Sequence, residues 1–417
     1  MSKSIRSGKQ DFLYMMNPWW ESPSFRYSIR PRPLYTDHII KRNDNLIDIL
    51  VGSRRVGKTH ILYSVINHLL DTGVKPKNII FLSADVREVR ELGIRKTIAA
   101  VKKDLKINQN AQIHVLIDEV QDAHEWQNDL KTLFDHTKTK LYISGSSSLV
   151  LSQETYKLTG RYFMQKVFPL SFPEFLQFKK YSIRLSATRK LHALQEYLAL
   201  GGYPEYILKG NQTYLRQAIE STLYRDLLTA YGIRNPAILE DLLYYLADKI
   251  TTTVSAKTIQ KDLHVDDETA RFYLKYLESV YLIFPLYRFG SSHKITKSSN
   301  PKYYFNDTGV LNLMGKKVPN GLLMENAVFV EFLRKESLTE RYKVFYDIVE
   351  GQEVDFRYQN TLYEVKSTRE LPVAEMEKYA DLGEKVSMIV LQATKAMKNY
   401  TTSLKFIELW DFMMSNS

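Results

Sequence analysis

The chain contains no cysteine and no long hydrophobic run, and each absence removes whole classes of protein. Without cysteine it forms no disulfide, no thiolate zinc site and no cysteine nucleophile. No apolar stretch approaches the roughly 18–20 residues that cross a bilayer as a helix. The segment from Met1 to Tyr14 carries charges but lacks the apolar stretch of a signal peptide. We therefore expect a soluble, cytoplasmic protein with no membrane partner.

The composition is that of a folded protein with a basic surface. A chain of 417 residues is too long for one ordinary core, so two or three domains are expected. Hydrophobic residues make up 44% of it, which is enough to build buried cores. The formal net charge of +11 favours an anionic partner, with DNA or another nucleic acid as the first candidate.

The amino-terminal 45 residues are predicted to form an irregular arm. Four prolines interrupt any periodic pattern there, namely Pro18, Pro23, Pro31 and Pro33. Trp19 and Trp20 lie among these prolines. Exposed aromatic side chains would suit binding, but we favour a hydrophobic anchor that ties the arm to the first domain.

Short apolar segments alternate with helical stretches over residues 46–173. The strand candidates are Leu46–Val51, Asn78–Ser83, Ile113–Ile117 and Leu141–Ser144. Continuous apolar runs of this length between helices are typical of buried parallel strands, so we predict an α/β layer. Residues 174–253 then have a largely helical pattern, rich in leucine and tyrosine.

A complete phosphate-binding loop follows the first predicted strand. Its residues are Gly52, Ser53, Arg54, Arg55, Val56, Gly57, Lys58 and Thr59. The glycines allow backbone N–H groups to surround phosphate oxygens, Lys58 reaches the β and γ phosphates, and the Thr59 hydroxyl holds Mg²⁺. An amphipathic helix over Thr59–Leu70 adds its positive amino-terminal dipole. The sequence therefore predicts an ATP site.

Acidic and hydroxylic residues at the ends of later strands complete this site. Asp118 and Glu119 follow an apolar strand; we assign Asp118 to the metal and Glu119 to the attacking water. This pair favours hydrolysis over phosphoryl transfer to a small acceptor. Ser144 or Ser146 is placed to contact the γ-phosphate or the water, although a simple turn explains them equally well. Arg161 is a candidate for neutralising charge on the transferred phosphate, often from a neighbouring subunit.

Taken together, these motifs resemble an AAA+-like P-loop ATPase family of bacteria and archaea. The matching residues are Asn17-Pro18-Trp19-Trp20, Gly52 to Thr59, Asp118-Glu119, Ser144 to Ser147, Gly160-Arg161, Pro169 to Phe175 and Gly201-Gly202-Tyr203-Pro204. The resemblance covers nearly the whole chain. It implies a γ-phosphate sensor at Ser144, an arginine finger at Arg161, and a winged helix followed by a restriction-endonuclease-like α/β domain.

The predicted organisation therefore has five parts. They are an arm over 1–45, a P-loop ATPase domain over 46–173, a helical region over 174–253, a winged helix over 254–318 and a restriction-endonuclease-like domain over 319–417.

A helix pair over residues 254–280 is the candidate DNA-binding element. Residues 254–263 are predicted to form a capped short helix, and the second helix begins at Asp267. Helical spacing predicts a core face of Ala270, Tyr273, Leu274, Leu277 and Tyr281, with Thr269, Arg271, Phe272 and Lys275 outward. Arg271 and Lys275 lie one turn apart, as groove or backbone contacts would require. A wing over 281–302 would add phosphate contacts through Lys294, Lys297 and Lys302. Winged helices also serve as protein-binding modules.

A predicted hairpin near the carboxyl terminus is the candidate nuclease element. Residues 351–358 and 361–367 form two strands around a Gln359-Asn360 turn. Asp355, Glu364 and Lys366 would converge at one end, where the carboxylates would bind Mg²⁺ and the lysine would steady the water or the phosphate. Glu325, on a predicted helix over Leu322–Leu333, would add a third carboxylate. Charge pairing on an exposed sheet face is the alternative.

Three functions follow from these features. The first is an ATP-driven DNA-processing enzyme with a metal-dependent nuclease module. The second is an ATP-controlled switch that binds DNA or protein, with a catalytically inactive nuclease-like fold. The third is a protein-remodelling ATPase. An arginine finger supplied by a neighbour would require a homo-oligomer.

Overall fold

The computed structural model describes most of the chain as two compact units. The described residues are 11–42, 44–146, 157–182, 184–231, 237–290, 299–336, 343–368, 370–398, 400 and 404–415, with the side chains of 225–231 left out. One unit comprises Met1–Ser53 with Gly57–Val167, and the other comprises Arg54–Val56 with Phe168–Ser417. No helix within these described ranges is long and apolar enough to cross a membrane.

A five-stranded sheet forms the centre of the first unit. Its strands are β1 (Ile47–Val51), β2 (Ile79–Ser83), β3 (Ile113–Asp118), β4 (Thr139–Gly145) and β5 (Tyr162–Lys166). The order is β2-β3-β4-β1-β5, and each neighbouring pair is parallel. The four predicted strands are confirmed as a buried parallel sheet. The edge strand β5 was missed because its residues are mostly half-buried and mixed in polarity, without a continuous apolar run.

Helices and short 3₁₀ turns surround this sheet. The helices span Asp11–Met16, Pro33–Lys41, Lys58–Asp71, Arg87–Leu92, Ile94–Asp104 and Trp126–His136. The 3₁₀ turns span Pro18–Trp20, Pro76–Asn78 and Val120–Asp122.

The prediction that the amino-terminal arm is irregular is wrong. The prediction that its aromatic residues anchor it to the first domain is confirmed. Pro33 begins a helix, because proline is tolerated in the first turn, where its missing N–H has no intrahelical partner. Trp19 is fully buried, and its indole N–H donates to the Ile79 carbonyl at 3.0 Å. The Asn17 amide donates to the Phe81 carbonyl at 2.9 Å, and the Phe81 N–H donates to the Asn17 side chain at 2.6 Å. The arm therefore satisfies backbone groups on the edge strand β2.

The second unit combines many helices with a hairpin and a mixed sheet. Its helices span Phe172–Phe178, Ala187–Leu200, Pro204–Lys209, Thr213–Tyr231, Ala237–Asp248, Ala256–Leu263, Asp267–Ser279, Thr308–Met314, Asn320–Glu336, Val373–Ala380, Lys395–Lys398 and Leu409–Met414. Its strands are β6 (Ile283–Leu286), β7 (Lys302–Phe305), β8 (Val344–Val349), β9 (Gln352–Tyr358), β10 (Thr361–Lys366), β11 (Val386–Val390) and β12 (Leu404–Glu408). β6 and β7 form an antiparallel hairpin.

The carboxyl-terminal sheet has the order β12-β11-β10-β9-β8. Its pairs β8–β9 and β9–β10 are antiparallel, whereas β10–β11 and β11–β12 are parallel. The helix Asn320–Glu336 precedes β8 and packs against β7, β9 and β10. The helix Val373–Ala380 carries the chain from β10 to β11. From Asn320 to Val390 the chain order is thus a helix, three antiparallel strands, a helix and a parallel strand, and β12 follows as a second parallel strand.

Polar contacts join the segments that the sequence pattern separated at 173/174, 253/254 and 318/319. The buried Asp307 carboxylate accepts the Gly202 N–H at 2.6 Å. The Arg334 guanidinium donates to the carbonyls of Pro169 at 3.0 Å and Leu170 at 3.2 Å. A Cβ on Gly202 would lie 2.3 Å from the Leu170 carbonyl oxygen, so only glycine fits this approach. These contacts explain why residues 168–417 form one compact unit.

Candidate functional site

The phosphate-binding loop connects β1 to the helix that begins at Lys58. A Cβ on Gly52 would lie 2.2 Å from the Val167 carbonyl oxygen, so that close approach requires glycine. Gly57 has φ +98° at the helix amino terminus, a conformation that disfavours other residues. Arg54–Val56 belong to the second unit, in which the Arg55 guanidinium lies 3.4 Å from the Glu205 carboxylate. The loop lies between a strand and a helix, as predicted.

The Lys58 ammonium is buried inside this loop. It donates to the carbonyl oxygens of Gly52 at 2.9 Å and Ser53 at 3.0 Å. Backbone carbonyls carry only partial charge, so phosphate oxygens are stronger partners for the ammonium. The lysine is therefore held within the loop in a position from which it can exchange these partners for phosphate.

Asp118 lies at the carboxyl end of β3 between two hydroxyl groups. The Thr59 hydroxyl donates to one carboxylate oxygen at 2.7 Å, and the Ser144 hydroxyl donates to the other. Burial raises the pKa of Asp118, and the adjacent charge of Glu119 raises it further, whereas the two hydroxyls oppose this shift. The structure therefore brings two of the predicted ATP-site residues, Thr59 and Ser144, to the buried carboxylate of a third, Asp118.

Glu119 begins the turn beyond β3 with φ +50°. The Gln121 amide donates to the Glu119 carboxylate at 2.5 Å and to the Ser146 hydroxyl at 3.1 Å. Gln121 thus links the predicted water-orienting acid to the second hydroxyl candidate. Sequence reasoning missed this glutamine, because the only signal for it was its position shortly after the acidic pair.

Arg161 does not join these residues within its own chain. It precedes β5, and Tyr162 pairs with Ile47 at the start of β1, whereas the phosphate loop follows the end of β1. Its guanidinium makes a bidentate ion pair with Asp135, at 2.8 and 3.1 Å. Arg161 therefore lies at the amino ends of the strands, whereas the phosphate loop follows the carboxyl end of β1.

The helix pair of the second unit agrees with the predicted boundaries and faces. The five predicted core residues of the second helix and the following turn are buried. Arg271 and Lys275 are exposed, and Arg271 makes an ion pair with Asp267 at 2.6 Å. Lys294 and Lys297 lie outside the described residues. The expected phosphate contact of Lys302 is wrong, because this side chain is buried and lies 2.7 Å from Glu353.

Three predicted carboxylates meet in the carboxyl-terminal module. The Val365 N–H donates to Asp355 at 2.8 Å, and the Asp355 N–H donates to Glu364 at 3.3 Å, so the two carboxylates are cross-strand neighbours. Glu325 is buried on the helix Asn320–Glu336 and accepts the Tyr304 hydroxyl at 2.6 Å. The sequence correctly predicted that these residues would converge.

The pKa values of these carboxyls reflect their crowding. Burial raises the pKa of Asp355 well above its usual range, and the charges of Glu325 and Glu364 add to the shift. Burial also raises the pKa of Glu325 to about 7, although the Tyr304 hydrogen bond and the Lys302 charge oppose it. The cluster therefore holds more negative charge than its environment readily accommodates.

Lysine and tyrosine side chains occupy the remaining positions around Glu364. Lys366 lies 3.0 Å from Glu364 and 3.1 Å from Glu375, and the Tyr379 hydroxyl donates to Glu364 at 2.7 Å. Among the described residues, no three acidic or histidine side chains are arranged to hold a metal ion. The predicted metal site at Glu325, Asp355 and Glu364 is thus present as a cluster but not as a ligand set.

Two family models match this chain. One is described as an AAA domain and matches residues 44–176. The other is a domain of unknown function, DUF8612, and matches residues 191–320. The first match coincides with the parallel sheet and its phosphate loop.

Solved structures give a weaker likeness. The Aeropyrum pernix Orc1 protein in complex with DNA is 12% identical with a TM-score of 0.33, covering 76% of this chain and 97% of that one. AMPPCP-bound DnaA from Aquifex aeolicus is 13% identical with a TM-score of 0.31, covering 63% and 92%. At scores this low, the likeness carries no inference about what this chain binds.

Sequence relatives give a stronger likeness. An uncharacterized protein of Haemophilus influenzae is 28% identical over 78% of this chain and 82% of its own length. The uncharacterized protein MJ1544 of Methanocaldococcus jannaschii is 30% identical over 76% of this chain and 73% of its own length. The chain therefore belongs to the same family as MJ1544, and it carries an AAA domain with an ATP-binding P-loop.

Proposed function

We propose that this chain is a magnesium-dependent ATPase that acts on DNA or is regulated by it. The observation that carries this proposal is the Asp118 carboxylate, held between the hydroxyls of Thr59 and Ser144 beside the phosphate loop. Thr59 and Asp118 would hold Mg²⁺, because hydroxyl and carboxylate oxygens are the donors that this ion prefers. When bound, the ion neutralises charge on the phosphate oxygens.

The phosphate loop and the ends of the neighbouring strands supply residues for different parts of ATP hydrolysis. The loop N–H groups and the helix dipole bind phosphate, and Lys58 exchanges its carbonyl partners for phosphate oxygens. Glu119 orients and deprotonates the attacking water, and Gln121 holds its carboxylate. Ser144 and Ser146 supply hydroxyls near the γ-phosphate.

The test of this assignment is Glu119→Gln, which keeps the shape of the side chain but removes the base. We expect ATP binding within about threefold of wild type and turnover lower by roughly 10²-fold or more. Exposed Glu125→Gln, in the same segment, is the matched control and should hydrolyse ATP normally. Equal turnover in Glu119→Gln and wild type would remove Glu119 from the mechanism.

Arg161 is proposed to act only in the site of a neighbouring subunit. Its position at the amino ends of the strands supports this restriction. Arg161→Ala subunits would keep an intact phosphate loop, and Lys58→Ala subunits would keep an intact arginine. We expect a mixture of the two inactive variants to recover turnover. No recovery in a mixture that forms hetero-oligomers would exclude the arginine finger.

The second unit is proposed to contact DNA through a winged helix. Support comes from the order of its elements, two helices followed by the β6–β7 hairpin, and from the exposed cations Arg271 and Lys275 on the second helix. The +11 net charge agrees with an anionic partner.

The carboxyl-terminal module supports a second candidate function, an ATP-controlled switch that binds DNA or protein and whose nuclease-like fold is inactive. Its helix, three antiparallel strands, helix and parallel strand support a restriction-endonuclease-like fold. Its carboxylates are engaged by lysine and tyrosine side chains, which favours a binding module that does not cleave. Cleavage assays with Mg²⁺ and Mn²⁺ decide between the two. Cleavage that Asp355→Ala and Lys366→Ala both abolish would establish the nuclease instead.

A further inference from the structure

The hairpin strand β7 delivers two side chains to the carboxylate cluster. Alternate residues of a strand share one face, and Lys302 and Tyr304 occupy such positions. The Tyr304 hydroxyl donates to Glu325 at 2.6 Å, and the Lys302 ammonium lies 2.7 Å from Glu353. The cluster is therefore built partly from the segment that precedes the carboxyl-terminal module.

The charges around Lys302 come from several acids. Burial alone would lower its pKa, but the hydrogen bond to Glu353 and the charges of Glu325, Glu353 and Asp355 together raise it. Lys302 is thus a buried ammonium in contact with Glu353, on the same strand as Tyr304, which binds the predicted metal ligand Glu325.

An ordinary ion pair with Glu353 does not account for this burial. The Lys302 side chain is only 3% exposed, whereas that of Glu353 is 51% exposed. A half-exposed carboxylate is partly screened by water and does not by itself offset the cost of burying an ammonium. The charges of Glu325 and Asp355 add to the attraction of Glu353, whose hydrogen bond is the largest favourable contribution to the pKa of Lys302.

We propose that Lys302 is an internal counter-ion beside the Glu325–Asp355–Glu364 cluster, where it offsets negative charge that a divalent cation would otherwise neutralise. The β6–β7 hairpin thereby holds the carboxyl-terminal module in a metal-free state. This inference rests on the proposed switch and names the residue that keeps its nuclease-like fold inactive.

The hairpin is also attached to the edge of the carboxyl-terminal sheet. The Phe289 N–H donates to the Tyr346 carbonyl at 2.7 Å, and the Tyr346 N–H donates to the Tyr287 carbonyl at 3.0 Å. A partner that displaced this hairpin would withdraw Lys302 and expose the carboxylates together. Binding at the neighbouring helix pair would then be coupled to cation binding in the cluster.

The test compares the thermal stability of wild type and Lys302→Met with and without MnCl₂. Without metal, we expect the variant to melt about 5–10 °C lower, because buried carboxylates lose their counter-ion. We expect its apparent Mn²⁺ affinity, from the concentration dependence of the melting temperature, to exceed that of wild type on the order of tenfold. A folded variant with the Mn²⁺ response of wild type would overturn the proposal.

Lys140→Met is the matched control in the first unit. Lys140 is a mostly buried lysine paired with a buried acid, since its ammonium lies 2.8 Å from Asp48. We expect a loss of stability without a gain in Mn²⁺ affinity, because Asp48 is not part of a cluster of three buried carboxylates. A Mn²⁺ response equal to that of Lys302→Met would show a non-specific effect and overturn the proposal.

A double variant covers the case in which Lys302→Met does not fold. Lys302→Met with Glu325→Gln removes one negative charge with the positive charge, so we expect it to fold and to melt above the single variant. If Glu353→Gln restores the melting temperature of Lys302→Met and Glu325→Gln does not, Lys302 forms only an ion pair with Glu353. That outcome would overturn the proposal. Neither readout uses ATP turnover or DNA cleavage, so failure of those proposed activities is distinguishable from failure of this inference.

Discussion

The Asp118 site of the first unit and the acidic cluster of the second unit both contain buried carboxylates, but they differ in whether an ammonium group contacts the acids. In the first unit Asp118 is held by the hydroxyls of Thr59 and Ser144. In the second unit the acidic cluster also accepts hydroxyls, from Tyr304 and Tyr379, but in addition has the Lys366 ammonium on Glu364 and the Lys302 ammonium on the adjacent Glu353. Hydroxyls orient a carboxylate but leave its charge, whereas ammonium groups neutralise it. The first arrangement is suited to recruiting a cation, and the second already contains its cations.

Lys58→Ala should have the largest effect, a loss of ATP turnover, and it tests the site of the first unit. Loss of the loop ammonium removes the main positive charge offered to the phosphates, so ATP turnover should fall on the order of 10²–10³-fold. Steady-state phosphate release measures this. The exposed Lys131→Ala in the same unit serves as control. If Lys58→Ala hydrolyses ATP like wild type, the ATPase proposal is wrong.

Glu278 sharpens the comparison because it is a carboxylate with a hydroxyl partner inside the second unit. Burial raises its pKa from 4.5 to about 7, although the Tyr303 hydrogen bond and the Lys275 charge oppose the shift. The folded protein thus keeps a proton that the unfolded chain releases, so the free energy of unfolding should decrease as pH rises from about 4.5 to about 7.

Glu278→Gln should flatten this pH dependence. The expected difference between wild type and variant is roughly 1–3 kcal/mol, measured by urea unfolding near pH 5 and near pH 8. Parallel pH profiles for the two proteins would show that Glu278 is ionised in the fold and would contradict the prediction.

Asp118→Asn tests whether the Asp118 carboxylate, unlike the acidic cluster of the second unit, lacks a counter-ion. The amide keeps partners for both hydroxyls and removes a buried charge, so the nucleotide-free protein should gain roughly 0.5–2 kcal/mol of unfolding free energy. ATP turnover should fall on the order of 10²-fold, because the metal ligand is lost. Thermal melting and phosphate release measure the two effects. Destabilisation comparable to that of Lys302→Met would mean that Asp118 is charge-compensated as well.

Arg271→Ala combined with Lys275→Ala should have the smallest effect. Loss of two exposed cations should weaken duplex DNA binding several-fold and reduce the slope of log affinity against log salt by about 1 for each phosphate contact. Stability should be unchanged, because exposed i,i+4 ion pairs contribute little. The control is Lys257→Ala on the preceding helix, where the side chain is also exposed. An unaltered salt dependence would exclude this helix from the DNA surface.

Local patterns predicted much of the architecture. The four apolar runs became β1 to β4, because strands buried on both faces of a parallel sheet must be apolar throughout. The period of the helix Asp267–Ser279 predicted its buried face, and the Gln359-Asn360 turn predicted the pairing of β9 with β10. The phosphate loop was evident because its chemistry depends on neighbouring residues in the chain.

Sequence patterns therefore predicted the type of many elements and, for β1 to β4 and the helix Asp267–Ser279, which residues are buried. Packing between distant segments placed Arg161 at the amino ends of the strands, joined Gln121 to Glu119 and Ser146, and brought Lys302 near acids 23 to 53 positions away in the chain. Periodicity records that a side chain is covered, but not which distant segment covers it. A lysine in a strand has the same local pattern whether it faces phosphate, water or a cluster of carboxylates. Its surroundings are fixed only when the hairpin packs against the carboxyl-terminal module.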